Sequence, residues 1–262
     1  MKKVLILGSS HVGALRRADA AFRDRFPGIE TDYFAVKAPM LRRGRAEGAV
    51  FRPFVHNEDE HELLQTLNGR AEADLSQYDK TLVVGFRSHP LDINALFETH
   101  AMLGSGDDER PFRASLGFVT DWLERIAADW AGDINARFGN APGCVFTVAP
   151  FPAGSLRERA DENEMAARFR TFRDNPHAET LFDIWATALE RAIAGQGFGY
   201  LPQPPETLDG PYATRSEYAL GGTAADGEPM EQGDHRHMNA GFGLLMLEQF
   251  AIRHLDQLPR PC

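Results

Sequence analysis

The stretch VLILGSSHVG, residues 4–13, sets the expected fold of this chain. A short apolar run ends at Gly8, two serines and a histidine follow, and an amphipathic helical pattern begins at Val12. An apolar run that turns at a glycine and passes directly into a helix is typical of a strand–turn–helix unit in an α/β sheet. Because such sheets bind ligands at the carboxyl ends of their strands, the Ser9–His11 turn is the first place to search for a functional site.

Four more apolar runs follow along the chain. The run of residues 4–7 and two of these later runs are nearly continuous in Val, Ile, Leu and Phe, as buried parallel strands tend to be. The later runs are Thr31–Val36, Thr81–Val84, Cys144–Ala149 and Phe198–Leu201. Helical patterns lie between the runs, so the sequence predicts a doubly wound α/β sheet with helices on both faces.

The helical patterns are four sets of apolar residues that recur at helical spacing. They are Val12, Leu15, Phe22 and Phe26; Phe118, Trp122, Ile126 and Trp130; Phe169, Phe172, Leu181, Trp185, Leu189 and Ile193; and Phe242, Leu245, Phe250 and Leu255. We expect the first helix to end at Pro27–Gly28 and the third pattern to break near Asn175–Pro176.

Neither an internal repeat nor a low-complexity linker divides the 262 residues, so we expect one domain, 1–262. Long loops are expected at about 37–57, 99–112 and 202–233, and loops of such length more often bind ligands or act as lids than serve as spacers. The first of them is rich in arginine. Its arginines are Arg42, Arg43, Arg45 and Arg52.

Composition excludes several classes of protein. The formal net charge of −10 argues against nucleic-acid binding, which needs a basic face. Two cysteines, Cys144 and Cys262, form no disulfide framework and suit a reducing compartment. No stretch approaches the roughly 20 apolar residues that span a bilayer, and the N-terminal run is too short for a secretory signal. We therefore expect a cytoplasmic protein that binds neither nucleic acid nor membrane.

Three interpretations of the opening turn are open. A dinucleotide site lacks support, because Ser10 stands where the second fingerprint glycine belongs and no acidic residue ends the second strand. A serine after a strand is also a good helix N-cap. Alternatively, Ser10 is a nucleophile whose backbone N–H, with the helix N-terminus, stabilises an oxyanion, and it then needs a base.

A candidate base stands near the end of the chain, in the stretch QGDHRHMNAGFGLL, residues 232–245. Asp234 and His237 form an Asp-x-x-His pair before the last helical pattern, with Asn239 as a predicted N-cap. In a tight turn the carboxylate can hold the imidazole N–H and fix its tautomer. A second copy, Asp174 to His177, lies between helical patterns, and we interpret it as unrelated to the site.

These two blocks carry a family resemblance. A strand that ends in Gly-x-Ser near the N-terminus, with Asp-x-x-His before the last helix, resembles the SGNH/GDSL hydrolases. The resemblance implies a three-layer α/β/α, flavodoxin-like domain with a mostly parallel five-stranded sheet. It also implies ester hydrolysis or acyl transfer without metal or cofactor, with Ser10 as nucleophile, His237 as base and Asp234 as the residue that orients it.

The chain departs from the family's pattern at the oxyanion hole. Ser9 stands where the family has aspartate, and no glycine follows the second strand until Gly44. After the third strand, Gly85 is present but Phe86 or Arg87 occupies the asparagine position. Loss of one oxyanion donor typically slows catalysis about 100- to 1,000-fold. We therefore expect Arg87 to supply the missing donor or to bind an anionic group of the substrate.

Other histidines are secondary candidates. His11 and His89 each follow a predicted strand and are expected to line the substrate pocket. His235 and His237 have a spacing that can bind metal, but we predict no metal site. The function predicted is therefore a serine esterase, of carboxylesterase or O-acyl esterase type, acting on a small-molecule or glycan ester. The alternatives are an acyltransferase and a catalytically weak protein that binds a glycan or other anionic ligand.

Overall fold

A computed structural model describes residues 1–104, 109–139, 141–161, 163–222, 224 and 234–260. Parts of the predicted loops 99–112 and 202–233, and Cys262, lie outside these residues. The strands are β1 (Lys2–Gly8), β2 (Ile29–Ala35), β3 (Arg45–Glu47), β4 (Val50–Arg52), β5 (Ala73–Asp74), β6 (Lys80–Phe86), β7 (His100–Met102), β8 (Phe112–Ala114), β9 (Cys144–Val148) and β10 (Gly199–Tyr200). The α-helices are α1 (Val12–Arg25), α2 (Ala38–Arg43), α3 (Glu58–Asn68), α4 (Asn94–Phe97), α5 (Leu116–Phe138), α6 (Glu164–Arg173), α7 (Ala178–Gly195) and α8 (Ala240–His254).

Five strands form a central parallel sheet in the order β2-β1-β6-β9-β10. Each of them coincides with one of the five predicted apolar runs, so the predicted three-layer α/β/α fold is confirmed. The order is that of flavodoxin-like sheets, and the chain changes direction across the sheet between β1 and β6. Ligands bind at such a switch point, so the loops after β1 and β6 are expected to form the site.

The two faces of the sheet bury two separate cores. Alternate residues of β1 show the division: Leu5 and Leu7 face the core beneath α5 and α7, whereas Val4 and Ile6 face the core beneath α1 and α8. This alternation follows from the period of two in a strand. Since both faces are covered, the inner strands β1, β6 and β9 are buried along most of their length, which explains why their runs are the most continuous in the sequence.

Two predictions about the outer layers are wrong. The predicted loop 37–57 contains α2 and the short strands β3 and β4, which pair in a small antiparallel sheet with β5. The predicted stripe Phe118–Trp130 lies on α5, but Phe118 and Trp122 are 46% and 40% exposed. The buried face of α5 lies one position further along the chain, at Val119 and Leu123, and α5 packs on α7.

Candidate active site

The Ser9–His11 turn joins β1 to α1 at the carboxyl edge of the sheet. The carbonyl oxygens of Ser9 and Ser10 accept hydrogen bonds from the N–H groups of Val12 and Gly13, each at 3.0 Å. His11 occupies the N-cap position of α1, and no side chain caps the helix there. The hydroxyl of Ser10 is therefore not used as a helix cap, which removes the cap interpretation.

The Asp234–His237 turn precedes α8 and is stabilised by the Asp234 side-chain carboxylate. Asp234 Oδ1 accepts the main-chain N–H groups of Arg236 at 2.7 Å and of His237 at 3.1 Å. The other oxygen, Oδ2, lies 2.6 Å from His237 Nδ1. Asn239 then caps α8, as predicted, by accepting the N–H of Phe242 at 3.2 Å. One carboxylate thus fixes both the turn and the imidazole.

Close packing of α1 against α8 brings the two turns together. A Cβ at Gly243 would lie 2.1 Å from the carbonyl oxygen of Ala14, so only glycine permits this approach of the helices. As a result, His237 Nε2 lies 2.7 Å from Ser10 Oγ, although 227 positions separate the residues in the chain. The three predicted catalytic side chains therefore form one connected chain of hydrogen bonds.

Charges determine which group donates and which accepts in each of these hydrogen bonds. Burial alone would raise the pKa of Asp234, but hydrogen bonds from the Arg236 N–H and from His237 hold it below its ordinary value. The carboxylate is thus an acceptor, and His237 Nδ1 must donate to it. In the neutral imidazole Nε2 is then an acceptor, so the Ser10 hydroxyl donates to His237. This is the arrangement required for a base that removes the serine proton.

His11 lies against the imidazole of His237. The two rings stack with centroids 5.3 Å apart and planes at 27°. Burial, followed by the neighbouring His237 and Arg87, lowers the pKa of His11 to about 3. Since His11 stays neutral at physiological pH, it provides a flat surface for the imidazole without adding a positive charge.

Gly85 explains how β6 approaches the serine turn. It has φ of +91° at a register shift in the pairing of β6 with β9. A Cβ at this position would lie 2.2 Å from Ser9 Oγ. Both the backbone angle and the space exclude larger residues, so Gly85 is a structural requirement of the site.

Arg87 and His89 follow β6 and line a cavity of about 130 Å³ beside the serine turn. His11 and Arg236 line the same cavity. At the neighbouring position, Phe86 points into the core and packs against Phe146, so of the two residues at the asparagine position Arg87 is the one that borders the cavity. The loops after β1, β6 and β9 all contribute to this cavity, as the switch point predicts.

Sequence reasoning missed three polar residues of the cavity wall. Tyr212 comes from the irregular segment 202–222, where no periodicity gave a signal. Ser88 and Arg236 stand next to predicted site residues, but neither has a pattern of its own. As for metal, both ring nitrogens of His237 are already engaged, and the described part of the chain contains no group of three His, Cys, Asp or Glu that could hold an ion.

Comparisons with known proteins show a structural similarity but no match in sequence. No protein-family model matches the chain, and no curated protein matches it in sequence. A similar solved structure is the lipopolysaccharide acetyltransferase periplasmic domain of Salmonella ser. Paratyphi A, at 8% identity and a TM-score of 0.40. The match covers 97% of this chain and 84% of that domain. An identity and a TM-score this low do not support a conclusion about activity.

The cytoplasmic prediction is nevertheless contradicted, because that neighbour is a periplasmic domain. The prediction relied on the lack of a signal-like run and on the two cysteines, and neither feature specifies a compartment. We therefore withdraw it. None of the helices in the described ranges is both long and apolar enough to cross a bilayer.

Proposed function

We propose that this protein is a serine hydrolase that cleaves an ester through an acyl-enzyme. Ser10 is the nucleophile, His237 the general base and acid, and Asp234 the residue that orients and stabilises the imidazole. The proposal depends mainly on one observation, the continuous hydrogen bonding from Ser10 Oγ through His237 to Asp234 at 2.7 and 2.6 Å. The reaction needs no metal or cofactor.

In the first half of the reaction, His237 Nε2 takes the hydroxyl proton as Ser10 Oγ attacks the ester carbonyl carbon. The Asp234 carboxylate stabilises the imidazolium that forms. His237 then donates its proton to the leaving alcohol, and the acyl group remains on Ser10. In the second half, His237 activates a water molecule, which releases the acid and restores the serine.

The oxyanion formed in each half needs hydrogen-bond donors. The main-chain N–H groups of Ser10 and His11 have no acceptor among the described residues and lie at the N-terminus of α1. Free N–H groups at a helix N-terminus favour negative charge. We assign these two groups as the oxyanion donors of this protein, in place of the absent asparagine.

Turnover of a simple ester tests the proposal. With 4-nitrophenyl acetate, we expect a burst of nitrophenol followed by slower steady-state release, and peptide mapping of the quenched protein should place the acetyl group on Ser10. The Ser10→Ala variant should show neither the burst nor the acetylated peptide. Folded wild-type protein that gives no burst and no acetylated peptide would contradict the proposal.

The absent asparagine favours a second candidate, a weakly active protein that binds its ligand without turning it over. An acyltransferase is a further alternative, because the same acyl-enzyme transfers its acyl group when a hydroxyl acceptor replaces water. Adding a series of alcohols to the ester assay separates these functions. Formation of new esters indicates transfer, and ligand binding without acylation of Ser10 indicates the binding protein.

A further inference from the structure

The cavity beside Ser10 carries an excess of positive charge. Arg87 and Arg236 line it, and neither guanidinium pairs with a carboxylate in the described ranges. Some other arginines of this acidic chain form ion pairs, for example Arg168 with Asp92 at 2.7 Å. Because Arg87 and Arg236 face one cavity without a carboxylate, that cavity has a positive charge that an anion can neutralise.

A third arginine, Arg42, lies close enough to affect the charge of Arg87. Arg42, at the end of α2, and Arg236 both contribute to a lowered pKa of Arg87, after the effect of burial. Such an effect requires both guanidinium groups to lie near that of Arg87. An anion bound beside Arg87 relieves this repulsion.

Buried polar atoms in the wall provide an independent observation. Ser88 is only 9% exposed, and its Oγ has no hydrogen-bond partner. Nδ1 of His89 is likewise buried without a partner, and both residues line the cavity. A buried polar atom without a partner is costly, so its presence in a cavity wall indicates a ligand that completes its hydrogen bonding.

Tyr212 closes the cavity and is held rigidly. It has a φ of +54°, which is uncommon for residues other than glycine, asparagine and aspartate. Its buried ring packs against Phe151 and Trp185, and these contacts hold the backbone in place. A strained residue at a cavity wall is typical of a binding site in which one side chain must keep a fixed position.

The size of the cavity limits what it can hold. At about 130 Å³ it is slightly smaller than an engineered protein cavity of roughly 150 Å³ that accepts benzene. A long acyl chain would extend beyond this volume. A single carboxylate, sulfate or phosphate group, with the few atoms that attach it, does.

We propose that this cavity binds an anionic substituent of the ester, so that the preferred substrates are short esters bearing a carboxylate, sulfate or phosphate. Arg87 and Arg236 hold the anion, and Ser88 Oγ donates a hydrogen bond to it. The identity of the scissile bond depends on the proposed function above, whereas the binding of the anion does not.

Matched ester pairs test the substrate preference. In one pair, 4-acetoxybenzoate is compared with its neutral methyl ester; in the other, 4-nitrophenyl hemisuccinate is compared with 4-nitrophenyl butyrate. We expect kcat/KM to favour the charged member of at least one pair by about 10- to 100-fold, since hydrogen bonds to charged groups are worth this much. The responding pair shows whether the anion belongs to the alcohol or to the acyl side. No preference in either pair overturns the proposal.

Arginine variants test which residues cause the preference for charged esters. The ratio of kcat/KM for the charged and neutral esters should fall about tenfold in Arg87→Gln and in Arg236→Gln. Arg253→Gln, at the far end of α8, removes the same charge and should keep the wild-type ratio. Acetoxybenzenesulfonate and acetoxyphenyl phosphate in the same assay identify which anion is preferred. If both Arg87→Gln and Arg236→Gln keep the wild-type ratio, the assignment of these arginines to anion binding is contradicted.

An equilibrium measurement separates this proposal from the proposed function. Calorimetry of 4-hydroxybenzoate, 4-hydroxybenzenesulfonate and neutral 4-hydroxybenzamide requires no catalysis. We expect one of the anions to bind to the wild-type protein and to bind about tenfold more weakly to Arg87→Gln. Such binding without ester turnover supports the anion site and rejects the hydrolase. Turnover with equal affinity for the anions and the amide supports the hydrolase and rejects the anion site.

Discussion

The two Asp-x-x-His sequences of this chain have the same spacing and different surroundings. In the terminal copy, Asp234 faces His237, and His237 faces Ser10. In the middle copy, Asp174 ends α6 and its carboxylate pairs with Arg157, while His177 donates its main-chain N–H to Asn175 Oδ1 at 2.8 Å. The middle copy borders a different pocket.

The difference comes from the elements on either side. The terminal copy follows the last strand of the sheet and precedes α8, which packs on the helix that follows Ser10. The middle copy connects two helices, and among the described residues no strand of the central sheet contributes to its pocket. Residue spacing therefore identifies a possible Asp–His pair, and the topology of the sheet determines whether a nucleophile faces it.

The largest expected effect concerns the two histidines. His237→Ala removes the base and should lower kcat for ester hydrolysis by about 10⁶-fold if the proposed mechanism is right. His177→Ala makes the same chemical change in the middle copy and should leave kcat at the wild-type value. Equal losses in the two variants would show that the effect is one of folding rather than catalysis, so unfolding curves are measured alongside.

The two aspartates give the next largest contrast. Asp234→Asn keeps the shape of the turn but allows the wrong imidazole tautomer, and we expect kcat to fall about 10⁴-fold. Asp174→Asn loses only the surface ion pair with Arg157, worth about 0–1 kcal/mol of stability, and no activity. Steady-state kinetics of both variants check this, and an active Asp234→Asn would contradict the role assigned to the carboxylate.

A third comparison, between two glycines, tests whether the close contact of α1 with α8 places the terminal copy. Gly243→Ala puts a methyl group against the Ala14 carbonyl, and we expect a loss of about 1–3 kcal/mol in the free energy of unfolding together with lower activity. Gly132→Ala on α5 meets no atom within 4 Å and should gain about 0.5–1 kcal/mol, because glycine is a poor helix former. Urea unfolding measures both, and equal shifts would refute the packing argument.

The smallest effect concerns His11, which has no counterpart in the middle copy. Its pKa is about 3 in the folded protein against 6.5 in the unfolded chain, so the unfolded state binds more protons between these values. The free energy of unfolding should therefore fall with decreasing pH in this range, by at most about 1.4 kcal/mol per pH unit.

Unfolding in urea at pH 6.5, 5.5 and 4.5 measures that slope. His11→Gln should show a shallower slope than the wild type. Above pH 6.5 the contribution of His11 is constant, so no difference in slope is expected there. A wild-type slope in His11→Gln would contradict the assignment of a buried neutral ring.

The sequence allowed the central sheet to be predicted because its inner strands β1, β6 and β9 are buried on both faces and therefore read as apolar runs. The same logic failed for β3 and β4, which have three residues each and only one buried side chain, Phe51. On α5, the large residues Phe118 and Trp122 dominate the helical pattern, but they are exposed, and the residue that follows each of them is the buried one.

The candidate site was predictable where residues stand at the ends of predicted elements. Ser10, Arg87 and His89 follow strands, and Asp234 and His237 precede a helix, so their shared edge follows from the fold. Tyr212 belongs to an irregular segment, and only tertiary packing brings it to the cavity. The Ser10–His237 distance likewise depends on the close contact of α1 with α8, which no local pattern encodes.

Labelling with a fluorophosphonate tests the central claim most directly. This probe reacts with a serine whose proton is removed by a neighbouring base, so it reports on the Ser10–His237 pair without assuming a substrate. We predict a single label on Ser10 in the wild type and in His177→Ala, and none in His237→Ala. Unlabelled wild-type protein that is folded, or labelling that survives in His237→Ala, would contradict the account.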